Sequence, residues 1–261
     1  MSQANSATTQ PTVVLVHGAF VDASSWTPVI QRLQAHGVNV TAPANPLRGI
    51  SHDSAYLASV LDQIPGPVLA VGHSYGGAVI SNAASMAKNV VGLVFVAAFA
   101  PDEGERLGEA TATSKDSILN AALVPRQYPT GAGAETAVEF VADPSKIHAT
   151  FAADLPVEAA AIVGATQRPA AELAFSEPNG RPAWKTLPSW AVVATEDKAA
   201  GTDVVRSMAE RAGARITEVQ GSHVIMVSQP QAVVDVILDA IEHASSERTL
   251  TARLSTVPGA G

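Results

Sequence analysis

Ser74 lies in the pentapeptide Gly72-His73-Ser74-Tyr75-Gly76, the stretch of these 261 residues best suited to chemistry. A serine hydroxyl is a weak nucleophile at neutral pH. It needs a base within hydrogen-bond reach and a third group that orients the base. Gly-x-Ser-x-Gly meets the geometric part of that need when it joins a strand to a helix. The turn is sharp and strained, and glycines stand where a Cβ would clash. The hydroxyl is then exposed at the end of a strand, with a helix N-terminus aimed at the charge that develops. The flanks fit this reading: an apolar run precedes at 67–71, and a small-residue segment follows at 76–85.

Seven histidines are candidates for the base. His17 and His73 lie inside motifs, His36 and His52 near expected helix ends, His148 in the middle of the chain and His243 in the last expected helix. Only His223, in Gly221-Ser222-His223, follows the last expected strand on a short loop. The acid is expected at the end of the strand before it, where Glu196 and Asp197 adjoin and Asp203 stands on the next helix. Asp197 is selected because its shorter side chain suits a buried contact to the imidazole Nδ1–H. Glu196 is the reserve. Two backbone N–H groups are needed for the oxyanion: Tyr75 supplies one, and Ala19, in His17-Gly18-Ala19-Phe20, supplies the other, with Phe20 the alternative donor. Phe20, His73, Trp184 and Met226 are candidates for the substrate pocket, with packing beneath the cap the other reading of Phe20 and packing an equal reading of Met226. Trp184, like Trp190, reads more readily as a core anchor than as a substrate platform, and Trp26 reads as core.

Alternating strand and helix patterns must hold these groups. Residues 12–16 are a continuous β-branched run, as in a strand buried on both faces. A helix is expected from Ser25 to about His36, a strand at 38–42, a helix from Ser51 to about Ile64, the elbow strand and helix, and a strand at 90–96. The rhythm resumes with a strand at 189–195, a helix at about 202–212, a strand at 215–219 and a helix at about 230–244. That order predicts an α/β fold with a mostly parallel central sheet and helices on both faces. Between the two stretches, residues 101–187 read as short helical pieces broken by prolines, hence an inserted, mainly helical cap. The expected organisation is a disordered lead-in at 1–10, a core at 11–100 and 188–245, the cap, and a loose tail at 246–261.

Composition narrows the function classes. A net charge of −8 disfavours nucleic acid and anionic lipid as partners. No apolar run approaches the roughly 20 residues of a membrane span, and the opening residues lack a secretory pattern. Zero cysteines exclude disulfides and thiolate metal sites. A cytoplasmic protein without cofactor or metal is expected, as a monomer or homodimer.

Together His17-Gly18-Ala19 with Trp26, the residues 72–77, Asp197 and Gly221-Ser222-His223 resemble the α/β-hydrolase superfamily. Within it, the chain is similar to the branch of small bacterial esterases, plant methylesterases and hydroxynitrile lyases, over about residues 12–243. The resemblance implies a Ser74–His223–Asp197 triad that cleaves carboxylic esters through an acyl-enzyme. The expected substrates are small to medium, mostly apolar esters, aryl esters among them. The alternatives are cofactor-free perhydrolysis of the haloperoxidase-like kind, cyanohydrin cleavage, and a slow ligand receptor. Cyanohydrin-cleaving relatives typically carry Thr at the position of Gly18 and Lys at that of Val224, so the lyase alternative lacks its ammonium here.

Overall fold

The computed structural model describes residues 10–255. The chain opens with β1 (Thr12–Val16), a 3-10 turn at Ala23–Trp26, α1 (Thr27–Ala35), β2 (Val40–Thr41), α2 (Ile50–Asp62), β3 (Val68–His73), α3 (Tyr75–Met86) and β4 (Val90–Val96). The inserted segment holds α4 (Leu107–Thr113), β5 (Leu123–Pro129), β6 (Thr136–Ala142), α5 (Ile147–Phe151), α6 (Val157–Ala165), β7 (Ala170–Ala171) and α7 (Leu173–Ser176). The core then resumes with β8 (Ser189–Ala194), α8 (Thr202–Arg211), β9 (Arg215–Val219), α9 (Ile225–Ser228) and α10 (Pro230–Ser255).

Six strands form one parallel sheet in the order β2-β1-β3-β4-β8-β9. A parallel sheet needs helices on both faces, so its strands should read as unbroken apolar runs. They do: every residue of β3 and β8 is buried, and β1 and β4 nearly so. From β1 the chain moves to β2 on one side and then to β3 on the other. Such a reversal opens a crevice at the carboxyl ends of the strands, where sites in open α/β sheets form. Ser74 follows β3, Asp197 follows β8, His223 follows β9, and Gly18-Ala19 follow β1, so all of these groups lie along that one edge.

Three features depart from the expected pattern. The strand expected at 38–42 is only Val40–Thr41, a short edge strand. The cap contains the expected helices but also a three-stranded antiparallel sheet, β5-β6-β7. Two of the prolines expected to break helices, Pro125 and Pro129, lie instead on β5, an edge strand, where a missing N–H donor is tolerated. The last helix runs on to Ser255, through part of the expected loose tail, because no Gly or Pro interrupts the sequence between Pro230 and Pro258. The remaining tail residues, 256–261, and the lead-in up to residue 9 lie outside the described residues.

The cap is tied to the core by specific polar bonds. Glu177 accepts from the backbone N–H (3.0 Å) and the hydroxyl (2.5 Å) of Ser51, so the cap caps the N-terminus of α2, whose own N-cap residue is Gly49. Arg48, just ahead of α2, reaches Glu139 on β6 at 2.8 Å and lies 4.4 Å over the Tyr128 ring on β5. No helix among the described residues is long and apolar enough to cross a membrane.

Candidate active site

Ser74 is the residue at which β3 becomes α3, and its φ of 53° with ψ of −124° is strained for a residue with a Cβ. Close backbone approach holds that conformation. A Cβ on Gly72 would stand 2.5 Å from the Gly76 carbonyl oxygen, and one on Gly76 would stand 2.5 Å from the Val16 carbonyl oxygen. The Ser74 N–H donates to the Val96 carbonyl (3.3 Å), and its own carbonyl accepts from Gly77 and Phe99. The glycines are therefore required by contact, since neither adopts a positive φ. Ser74 is only 6% exposed.

The structure brings the imidazole of His223 and the carboxylate of Asp197 together. His223 Nδ1–H donates to Asp197 Oδ2 at 2.8 Å, with both residues 1% exposed. The other oxygen, Oδ1, accepts the backbone N–H groups of Ala199 (2.9 Å) and Ala200 (3.0 Å). Thr202 completes the turn: its hydroxyl donates to the Ala194 carbonyl and accepts the Asp197 N–H. A carboxylate held from both oxygens cannot rotate, so it fixes the ring tautomer with the proton on Nδ1 and leaves Nε2 free to accept one. Ser74 Oγ makes no hydrogen bond to that ring among the described residues. Such contacts are often long before substrate arrives.

The other acid candidates are occupied elsewhere. Glu196 accepts from Gln220 at 3.0 Å on the exposed side of the loop. Asp203 accepts the Ser114 hydroxyl (2.5 Å) and the Lys115 N–H (2.8 Å), pinning a cap segment to α8.

His17 and Asn45 form a buried pair behind the loop that follows β1. The Asn45 N–H donates to His17 Nε2 (2.9 Å), the Asn45 side chain donates to the His17 carbonyl (3.0 Å), and His17 Nδ1–H is 2.9 Å from the Gly18 carbonyl. Ala19 is buried, and Phe20 adopts φ 62°. A Cβ on Gly18 would fall 2.5 Å from Ser74 Cβ and 2.9 Å from the His73 carbonyl oxygen, so no side chain fits there.

The structure sorts the expected pocket residues. The Phe20 ring stacks on Phe175 of α7 (centroids 6.0 Å) and meets Phe151 of α5 edge-on (5.8 Å). The Phe151 ring meets His223 at 5.6 Å. Phe20 thus belongs to an aromatic layer that reaches His223, whose cap members Phe151 and Phe175 carry no signal in the sequence. His73 is not a pocket residue. It is completely buried, and its Nε2–H donates to the His223 carbonyl (3.0 Å), bonding the elbow to the histidine loop. Trp184 is brought to a different place: its Nε1–H donates to the Pro101 carbonyl, and Lys185 and Arg211 lie 5.4 and 6.0 Å from its ring. It anchors the base of the cap. Met226 is fully buried in α9 as part of the apolar core.

Beyond Phe175, inside the cap, is a cavity of about 310 Å3 lined by Thr111, Leu119, Leu123, Phe140 and Phe175 together with polar groups such as Glu172. Phe175 is its wall toward the loop that follows β1, touching both Phe20 and Tyr75 (6.4 Å). Among the described residues no group of three or more His, Asp or Glu could hold a metal ion.

His17 and His73 are held below the ordinary imidazole range, chiefly by burial, and His73 also by the neighbouring His223. Both therefore take up a proton less readily in the folded chain than in the unfolded chain, where they bind protons near the ordinary imidazole value of 6.5. Where the unfolded state binds more protons, stability falls as pH falls. The loss begins near pH 6.5 and is absent above it, with a slope of up to about 1.4 kcal/mol per pH unit for each histidine. Urea midpoints are expected to drop between about pH 7 and 5.5, and less steeply in His73→Gln. Equal slopes in the two proteins would show that His73 takes no part.

The family described as alpha/beta hydrolase matches residues 13–236. Among solved structures, polyneuridine aldehyde esterase is 23% identical, with a TM-score of 0.74, over 89% of this chain and 99% of that one. Methylketone synthase I of tomato, complexed with 2-tridecanone, is 23% identical, with a TM-score of 0.71, over 90% and 99%. A pyrethroid hydrolase is 21% identical, with a TM-score of 0.70, over 91% and 99%. No curated protein sequence matches this chain. At these identities the likeness to solved structures is one of fold.

Proposed function

We propose that this chain, which belongs to the alpha/beta hydrolase family, hydrolyses carboxylic esters through an acyl-enzyme on Ser74. The observation that carries the reading is the buried His223–Asp197 pair, 2.8 Å apart, at the same sheet edge as the strained Ser74. In this reading His223 Nε2 takes the Ser74 proton as Oγ attacks the ester carbonyl. The backbone N–H groups of Tyr75 and Ala19 stabilise the oxyanion, and His223 returns the proton to the departing alcohol. Water, deprotonated by the same imidazole, then releases the acid. Asp197 orients the ring and stabilises its cation throughout. Each step uses this chain's own residues and needs no cofactor.

Small to medium, mostly apolar esters, aryl esters among them, suit the aromatic layer of Phe20, Phe151 and Phe175. The structural relatives named as an esterase and a pyrethroid hydrolase support the ester class. Cyanohydrin cleavage is disfavoured because Gly18 has no room for a hydroxyl-bearing side chain and Val224 provides no cation.

A panel of p-nitrophenyl esters from acetate to octanoate tests the reading. Many turnovers per chain are expected on the short esters; a single equivalent of product would replace hydrolysis with ligand sensing. Phe175 should set the upper limit on size. Phe175→Leu is expected to raise kcat/KM for the longer esters roughly tenfold relative to acetate, the scale at which a few methylenes discriminate. A uniform change across the panel would mean that the cap cavity takes no part of the substrate.

A further inference from the structure

A buried carboxylate that plays no part in the triad lies behind the elbow. Asp53, in the first turn of α2, is fully buried, yet among the described residues no lysine or arginine side chain pairs with it. Its Oδ2 accepts the Tyr75 hydroxyl at 2.8 Å, both of its oxygens accept the backbone N–H of Arg48 at 3.1 Å, and its Oδ1 lies 3.1 Å from Nδ1 of the exposed His52. The Arg48 guanidinium leads away, to Glu139. Burying a carboxylate is expensive unless donors surround it, and an apolar side chain of similar size would fill the same space without that penalty. The group therefore calls for a reason beyond packing.

Its main side-chain partner supplies one. Tyr75 is the first residue of α3 and follows Ser74 directly. Its phenol is pushed well above its ordinary value, first by burial and then by the Asp53 charge, so it remains a hydrogen-bond donor. A charge-assisted bond to a buried carboxylate is stronger than one between neutral groups, and so is suited to holding a residue next to a strained position. Glycine contacts press the elbow from the β1 side, and the Tyr75–Asp53 bond tethers it from the α2 side.

We propose that Asp53 is a positioning residue for the elbow. Its carboxylate fixes the Tyr75 side chain and, through it, the backbone N–H that faces the developing oxyanion. This role rests on the ester-hydrolase reading above. It predicts that substrate binding is largely independent of Asp53 while transition-state binding is not.

The test compares Asp53→Asn, Tyr75→Phe and the double variant on p-nitrophenyl butyrate, with active sites counted by a serine-directed phosphonate. Each single variant is expected to lower kcat about 10- to 100-fold per titrated site, with KM within about twofold, because an oxyanion donor is displaced rather than deleted. The inhibition constant of a trifluoromethyl ketone should rise by the same factor. The double variant should lose about as much as one single variant instead of multiplying the two losses. Unchanged kcat per titrated site and unchanged ketone affinity, with only a lower melting temperature, would make Asp53 purely structural. If Asp53→Asn does not fold, Tyr75→Phe, which keeps the ring and removes the same hydrogen bond, decides between the two outcomes alone. A wild-type chain with neither turnover nor phosphonate labelling would defeat the hydrolase reading itself, an outcome distinct from wild-type turnover that the variants leave unaltered.

Discussion

Ser74→Ala is expected to reduce ester turnover by about 10⁴- to 10⁶-fold while leaving the fold intact. The loss is that large because nucleophile and base act as a unit: without Oγ, the imidazole has no proton to take and no acyl-enzyme forms. The fold should survive, since alanine keeps the Cβ that already occupies the strained position at φ 53° and removes only one buried oxygen. Circular dichroism melts close to wild type, with kcat on p-nitrophenyl butyrate at background, are the expected pair of results. Substantial turnover in a folded Ser74→Ala protein would place the nucleophile elsewhere.

Asp197→Asn is expected to lower kcat by about 10⁴, through the tautomer of His223. The backbone N–H groups of Ala199 and Ala200 already point at Oδ1 and would keep the amide oxygen on their side. The amide NH2 would then face His223 Nδ1, where the carboxylate now accepts a hydrogen bond at 2.8 Å. Two donors cannot meet, so the ring would carry its proton on Nε2, the atom that must accept the serine proton. Steady-state kinetics with matched melting curves measure the effect. A loss of only a few-fold would mean that another acid orients the ring, although Glu196 is committed to Gln220, and Asp203 to Ser114 and Lys115.

The parts of the site that are legible in the sequence are those set by local chain geometry. A glycine-flanked serine between an apolar run and a small-residue helix can form few other structures, and a histidine on a short loop after the last strand has a defined place at the sheet edge. Choosing Asp197 over Glu196 depends on side-chain length and the position in the turn, and the amide donors of Ala199 and Ala200 that hold it are visible only in three dimensions. The aromatic layer is not legible at all. Phe20 is more than a hundred residues from Phe151 and Phe175, which sit in cap segments with no periodic pattern. The three meet only through the packing of α5 and α7 on the loop that follows β1. Asp53 is hidden for a similar reason: one acidic residue near a helix N-terminus is ordinary, and its burial against Tyr75 follows from the packing of α2 on α3. His73 is a pocket candidate from its place in the sequence, but its hydrogen bond shows it bracing the histidine loop, and Trp184, which reads more readily as an anchor, is bonded to the base of the cap.

The central claim, covalent catalysis by Ser74, is tested most directly by mass spectrometry of wild-type protein acid-quenched within the first turnovers of p-nitrophenyl butyrate. The predicted result is one added butyryl group per chain, mapped to the peptide bearing Ser74, that forms with the product burst and is absent from Ser74→Ala. Sustained turnover with no adduct on that peptide, and no loss of activity after treatment with a serine-directed phosphonate, would contradict the account.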